Sequence, residues 1–155
     1  MKLPSKRKIA GTFGIDELEK LNSRTLHAVL ATAHNDNPYT SLVAYAFDCR
    51  EKVFVFLTPR STTKYSNILH NHNVSLLIDT RENSENDYLS GEAYTVQGKA
   101  LVLRAGKRKE RLLTTFLDKH PKLTDFSKNR NTATIAINIV QCFKVSKFQE
   151  VYLYK

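Results

Sequence analysis

VFVFLTPRSTTKYSNILHNHNVSLLID, residues Val53 to Asp79, is the stretch on which the reading of the fold turns. Its apolar start, rich in Val and Phe, reads as a strand that Pro59 ends. A basic, hydroxyl-rich turn follows, a helix leaves that turn at about Thr62 and runs to His70, and VSLLID closes the unit as another strand. The start of a helix leaves backbone N–H groups unpaired and partly positive. With Arg60, Ser61, Thr62, Thr63 and Lys64 beside them, such groups make a turn able to hold a phosphate. The same residues also read as a plain helix N-cap, by Ser61 or Thr62, with two solvent-exposed cations. Hydroxyls cap helices far more often than they hold ligands, so the turn alone does not select a ligand.

Upstream, IDELEKLNSR places Ile15, Leu18 and Leu21 on one side with Asp16 and Glu17 near its start, the pattern of a short amphipathic helix. LHAVLATA, the turn formers HNDNP ended by Pro38, and YTSLVAYAF compose a β-hairpin. Its second strand, Tyr39 to Phe47, is partly apolar on both faces, which suits a closed barrel or a subunit interface. Residues 1–14, broken by Pro4, Gly11 and Gly14, read as a loose arm ahead of a single domain over 15–155.

Downstream, TRENSENDYLS reads as a polar loop and Gly91 to Arg104 as a long strand with a bulge or sharp bend at Gly98. KRKERLLTTFLDKH puts Leu112, Leu113, Phe116 and Leu117 on one helical stripe that Pro121 stops. TATIAINIVQCFKVSKF is a sixth strand with Ala133, Ile135, Ile137 and Ile139 on one face, and VYLYK is a short edge strand. Six main strands, about three short helices and no βαβ repeat predict a mainly β fold, an antiparallel barrel with peripheral helices.

A chain of 155 residues with 41% hydrophobic and 25% charged residues has an ordinary globular composition. No apolar run is long enough to span a bilayer, and the cations of MKLPSKRKIAG precede no apolar signal core, so a cytoplasmic protein is expected. The net charge of +9 is clustered at Lys2, Lys6, Arg7 and Lys8 and again at Lys107, Arg108, Lys109 and Arg111. It allows nucleic acid, anionic lipid, a phosphorylated small molecule or plain solvated faces, and selects none. Cys49 and Cys142 have neither metal-ligand spacing nor disulfide density and read as reduced thiols.

Chemistry borne by side chains alone finds no pattern. His70 and His72 lack a third and fourth ligand, so no metal site is expected. GxSxG, a Walker lysine motif and GxGxxG are all absent, and DTRENSEND matches no calcium loop. No catalytic residue can be named. An enzyme of this composition would borrow its chemistry from a cofactor.

The order NPYTSLVAYAF, VFVFLT, the basic turn with KYSNILHNHNVSLLID, and GEAYTVQGKALVL resembles the pyridoxamine 5′-phosphate oxidase-like family of FMN-binding split barrels. The resemblance runs over about Leu26 to Leu103 and more loosely through KVSKFQEV. It implies a six-stranded split barrel that forms a homodimer with FMN in clefts between the subunits. By position it implies Lys64 as the phosphate-binding lysine with Thr62 and Thr63 beside it, and Leu57 and Thr58 as the strand end passing the flavin. It further implies Ser41, Leu42 and Val43 as the strand whose backbone faces the ring, and it matches Gly98 to a glycine of the fifth strand. Two departures stand out. Oxidase members commonly carry arginine where this chain has Thr63, which leaves Arg60 to supply the cation. The C-terminal KVSKFQEVYLYK lacks the arginine and histidine that grip the pyridoxine ring, so a pyridoxamine phosphate oxidase proper is not expected.

Two functions follow. The first is an FMN-dependent oxidoreductase acting on a small molecule, with no membrane partner. The second is a non-catalytic module holding flavin, haem or nucleic acid, with Tyr39, Tyr45, Phe47, Phe54 and Phe56 as a stacking platform for the last. Core packing is the favoured role for these aromatics, which makes nucleic acid the least expected ligand.

Overall fold

The hairpin and the VFVFLT strand are parts of one closed sheet. In the computed structural model, which describes residues 8–9, 14–146 and 150–154, the strands are β1 (Lys8–Ile9), β2 (His27–His34), β3 (Asn37–Asp48), β4 (Val53–Pro59), β5 (Asn73–Asp79), β6 (Glu92–Val102), β7 (Thr132–Ser146) and β8 (Glu150–Tyr154). Six of them, in the order β2-β3-β4-β7-β6-β5 and back to β2, form an antiparallel barrel. β8 pairs with β7 and is flanked on its other side by β1, in parallel, so VYLYK is not the free edge expected from sequence. Of the expected arm, only β1 and Gly14 fall within the described residues; the end of the sixth strand at Lys147 and Phe148 falls outside them.

The alternation of side chains along each strand divides the apolar residues between two cores. Leu30, Tyr45, Phe54, Phe56, Leu76, Ile78, Val96, Ile135 and Ile137 fill the barrel interior. Val53, Val55, Leu57, Ala46 and Ala136 point outward and meet Leu112 and Phe116 of α4 (Lys107–Lys119), with Phe126 of α5 (Thr124–Lys128) beside them. β4 therefore reads VFVFL because it is covered on both faces. The four buried aromatics Tyr45, Phe47, Phe54 and Phe56 are at most 4% exposed, which removes them as a platform for nucleic acid bases.

Local chemistry sets the corners. Asn35 and Asp36 take φ of 48° and 62°, the two left-handed positions of a type I′ hairpin turn. Pro38 does not end that turn; it lies in β3 opposite Ala33. At Gly98 the extra residue is on the partner strand. Gln97 pairs with Gln141 and Gly98 with Ile139, so Val140 bulges out of β7, 59% exposed. A Cβ at Gly98 would lie 2.6 Å from Ile137 Cγ2 and press on the Asn138 carbonyl, which is why glycine sits there.

The helices cap the barrel. α1 (Ile15–Arg24) buries Leu18 and Leu21 at one end, and its Asn22 Oδ1 accepts from Phe47 N at 3.0 Å and Lys119 Nζ at 2.8 Å. α2 (Thr63–His70) buries Ile68 and Asn67, whose amide donates to the buried Thr32 hydroxyl at 3.0 Å. The expected polar loop contains a further turn of helix, α3 (Asp87–Ser90), because the Asp87 carboxylate accepts from the backbone N–H of Glu82 and Ser84. α4 is tied to the β3–β4 turn by Arg111, which bridges Asp48 at 2.9 Å and also Glu51, and by Arg108 on Glu51. Burial works to raise the Asp48 carboxyl, but bonds from Glu51 N, Thr115 and Arg111 outweigh it and hold it below the ordinary value.

Candidate functional site

The barrel is split between β3 and β4. The two strands pair only from Tyr45 to Asp48 on β3 and from Val53 to Phe56 on β4. Beyond that point Asn37–Ala44 pairs with β2 alone, and Leu57, Thr58 and Pro59 pair with β7 alone. Ser41, Leu42 and Val43 thus line one lip of the opening, and Leu57, Thr58 and the turn to Lys64 line the other. Strand edges without a neighbour carry backbone donors and acceptors free to meet a ligand.

On the second lip the hydroxyl groups divide their work. Thr62, not Ser61, is the N-cap of α2. Its hydroxyl donates to the Pro59 carbonyl at 2.9 Å and lies 2.9 Å from the Thr58 hydroxyl and 3.4 Å from the Tyr65 N–H. One donation and two acceptances use the full capacity of that oxygen. Thr63 is exposed, and among the described residues neither its hydroxyl and N–H nor the N–H and ammonium of Lys64 have a partner. Arg60 is engaged: its Nη1 donates to Tyr65 Oη at 2.7 Å, and its guanidinium lies 5.5 Å from the centre of that ring.

The first lip holds an orphan. Ser41 Oγ is buried and makes no hydrogen bond. A buried hydroxyl without a partner costs about 1–3 kcal/mol, so a ligand with a donor or acceptor beside Ser41 would recover that loss. Leu42, on the opposite face of β3, is 66% exposed. In register it heads a row that continues through Val29 of β2 to Leu77 of β5, itself 37% exposed. Next to this row an open groove of about 490 Å³ runs along the outer wall, with Ala31, Ala33, Pro38 and Val140 among its lining.

Other titratable groups lie away from the split. A polar cavity of about 250 Å³ under α1 contains Lys144, held by Glu17 at 3.3 Å and Glu92 at 3.2 Å, with the Tyr94 hydroxyl on the same two carboxylates. Burial raises the Tyr94 phenol. Among the described residues Lys119 forms no ion pair, and burial lowers it to about 8. The His34 and His70 rings, at the ends of β2 and α2, meet tilted with their centres 4.5 Å apart. Among the described residues no group of three or more His, Cys, Asp or Glu is placed to hold a metal ion.

One contact with the site was beyond sequence reasoning. The loop 129–131 reaches the turn from seventy residues away: Arg60 N–H donates to the Asn131 carbonyl at 2.7 Å, and the Asn131 amide donates to Ser61 Oγ at 3.4 Å. The turn formers in KNRNT signal a loop there, but not its neighbour.

A split barrel with a helix start at its opening has known counterparts. A family model described as pyridoxamine 5′-phosphate oxidase matches residues 15–146, and the chain belongs to that family of pyridoxamine 5′-phosphate oxidase-like proteins. Comparison with curated protein sequences gives no match. Among solved structures, a haem-binding protein from Mycobacterium smegmatis superimposes with a TM-score of 0.80 at 15% identity, over 91% of this chain and 57% of that one. The chain therefore spans little more than half the length of that protein. An FAD-binding protein from Mesorhizobium loti gives 0.69 at 17% identity, over 85% and 92%. The haem storage protein HutZ from Vibrio cholerae gives 0.70 at 14% identity, over 80% and 88%. These likenesses define the fold. No helix among the described residues is long and apolar enough to cross a membrane.

Proposed function

We propose that this chain is an FMN-binding oxidoreductase of the family, with the flavin in the split between β3 and β4. The observation that carries the reading is the pairing of an orphaned hydroxyl with unspent donors: Ser41 Oγ on one lip, the Thr63 and Lys64 groups on the other. Unpaired N–H groups, a hydroxyl and an ammonium suit a phosphate. The free edge of β3 at Ser41 to Val43 suits the alternating carbonyls and N–H of the flavin's pyrimidine ring, and Leu57 and Thr58 border it. A bound flavin supplies electron transfer; the chain binds and orients it and keeps water out. Arg60, committed to Tyr65, braces the first turn of α2 in this reading, and Thr62 acts as its cap.

The exposed row Leu42–Val29–Leu77 supports a homodimer in which a second copy covers the outer wall beside the split. The reading is tested by the visible spectrum of the purified protein and by titration with FMN. Lys64→Ala should weaken FMN binding by about 1.5–3 kcal/mol, the range for a hydrogen bond to a charged group. Failure of FMN to copurify, together with no binding at micromolar concentration, would sink it.

A second reading, a non-catalytic haem module, rests on the His34–His70 pair. His70 Nδ1 lies 2.8 Å from the Ser66 carbonyl, which turns Nε2 outward as a free nitrogen of the kind that binds iron. A Soret band on titration with haemin that His70→Ala abolishes, without flavin binding, would favour it.

A further inference from the structure

We infer that Tyr65 is a positioning residue of the phosphate site: its hydroxyl holds the Arg60 guanidinium against the first turn of α2, so that the unspent N–H groups of Arg60 meet the phosphate. This rests on the flavin reading above and adds to it a residue that supplies no charge of its own.

An exposed arginine on a turn samples many rotamers, and a ligand that it grips must first stop that motion. Arg60 is held at both ends. Its backbone N–H donates to the Asn131 carbonyl at 2.7 Å, and its Nη1 donates to Tyr65 Oη at 2.7 Å, with the guanidinium 5.5 Å from the centre of the ring. The tyrosine is a firm anchor. Its ring, partly buried, packs against the core inside the barrel, and its backbone N–H lies 3.4 Å from the Thr62 oxygen that caps the helix. Tyr65 is the third residue of α2, so the guanidinium that it holds is one hydrogen bond away from the turn that carries the unpaired N–H groups of Thr63 and Lys64. A bond to a neutral phenol leaves the arginine its full charge. It also uses only one of five N–H donors, and the parallel N–H groups of Nε and Nη2 have no partner among the described residues. That edge is the fork that takes two phosphate oxygens at once.

The test is a double-mutant cycle read with two ligands, FMN and riboflavin, which has the same ring and no phosphate. Wild-type protein, Tyr65→Phe, Arg60→Ala and the double variant are titrated with each by quenching of flavin fluorescence. Tyr65→Phe keeps the ring on the core and removes only the oxygen. It should weaken FMN binding by about three- to tenfold and leave riboflavin binding unchanged. Arg60→Ala should weaken FMN binding roughly tenfold or more, again sparing riboflavin. The double variant should match Arg60→Ala, because the phenol acts through the guanidinium alone. Tyr65→Phe binding FMN as wild type does, losing both ligands equally, or weakening FMN as much in the Arg60→Ala background as in the wild type would overturn the inference while leaving the flavin reading intact. Wild-type protein that binds neither ligand would overturn both.

Discussion

Thr62 and Thr63 are adjacent hydroxyls of the turn; that of Thr62 caps α2, and that of Thr63 has no partner among the described residues. In Thr62→Val the side chain keeps its shape and loses its oxygen. Removing a threonine N-cap costs about 1 kcal/mol. The change also strands the Thr58 hydroxyl, 1% exposed, whose remaining contact is with the Pro59 carbonyl at 3.4 Å. Leaving such a group unsatisfied costs about 1–3 kcal/mol, so the total comes to about 2–4 kcal/mol. With a urea slope of about 2 kcal/mol/M, the unfolding midpoint should fall by about 1–2 M with the slope unchanged. Measured well below that midpoint, FMN affinity should stay near wild type. Thr63→Val should do the reverse: stability within about 0.5 kcal/mol of wild type and FMN affinity several-fold weaker. A Thr62→Val protein as stable as wild type but unable to bind flavin would refute the assignment of its oxygen to the cap.

Three further outcomes are expected. Gly98→Ala forces a Cβ against the Asn138 carbonyl and Ile137, so overpacking of about 1–3 kcal/mol should exceed the 0.5–1 kcal/mol or so that alanine gains in a strand; a thermal midpoint at or above wild type would contradict it. Asp48 is held below its ordinary value of 3.8, so its contribution is complete above about pH 4 and fades as pH falls through the lowered value. Asp48→Asn should therefore cost about 1–2 kcal/mol at pH 7 and nearly nothing in strong acid, which denaturant titrations at several pH values would resolve. Leu42→Asp places a charge at the most exposed position of the row and should convert a two-chain particle into a single chain by light scattering; an unchanged mass would remove that wall from the interface.

The parts of the fold that could be read along the chain are those set by local pattern. The alternation of Ala133, Ile135 and Ile137, the stripe Leu112–Phe116 and the Asn35–Asp36 turn each carry their own signal, and each is where the pattern puts it. Pairings between distant segments are not written locally. VFVFLT announces burial on two sides, but nothing in it says that one side faces α4 or that its ladder partner is β7. The short helix at Asp87 depends on one carboxylate reaching back to Glu82 and Ser84, a contact with no periodicity to betray it. At the candidate site the turn residues were legible as an anion-binding group or a cap, and the structure gives the cap to Thr62 and leaves the Thr63 hydroxyl without a partner among the described residues. The loop at Asn131 was not legible, because its place follows from the register of β4 against β7.

The second core on the outside of the barrel has a consequence for symmetry. α4 and α5 occupy the wall formed by β4 and the neighbouring part of β7, so that side offers a neighbour mostly charged helix surface. The opposite wall, around Leu42, Val29 and Leu77, is bare. In the homodimer proposed above, this wall would meet its copy through the same patch on both molecules, and such a contact consumes the patch on each. Growth through that contact would stop at two, because the helices shield the other half of the barrel.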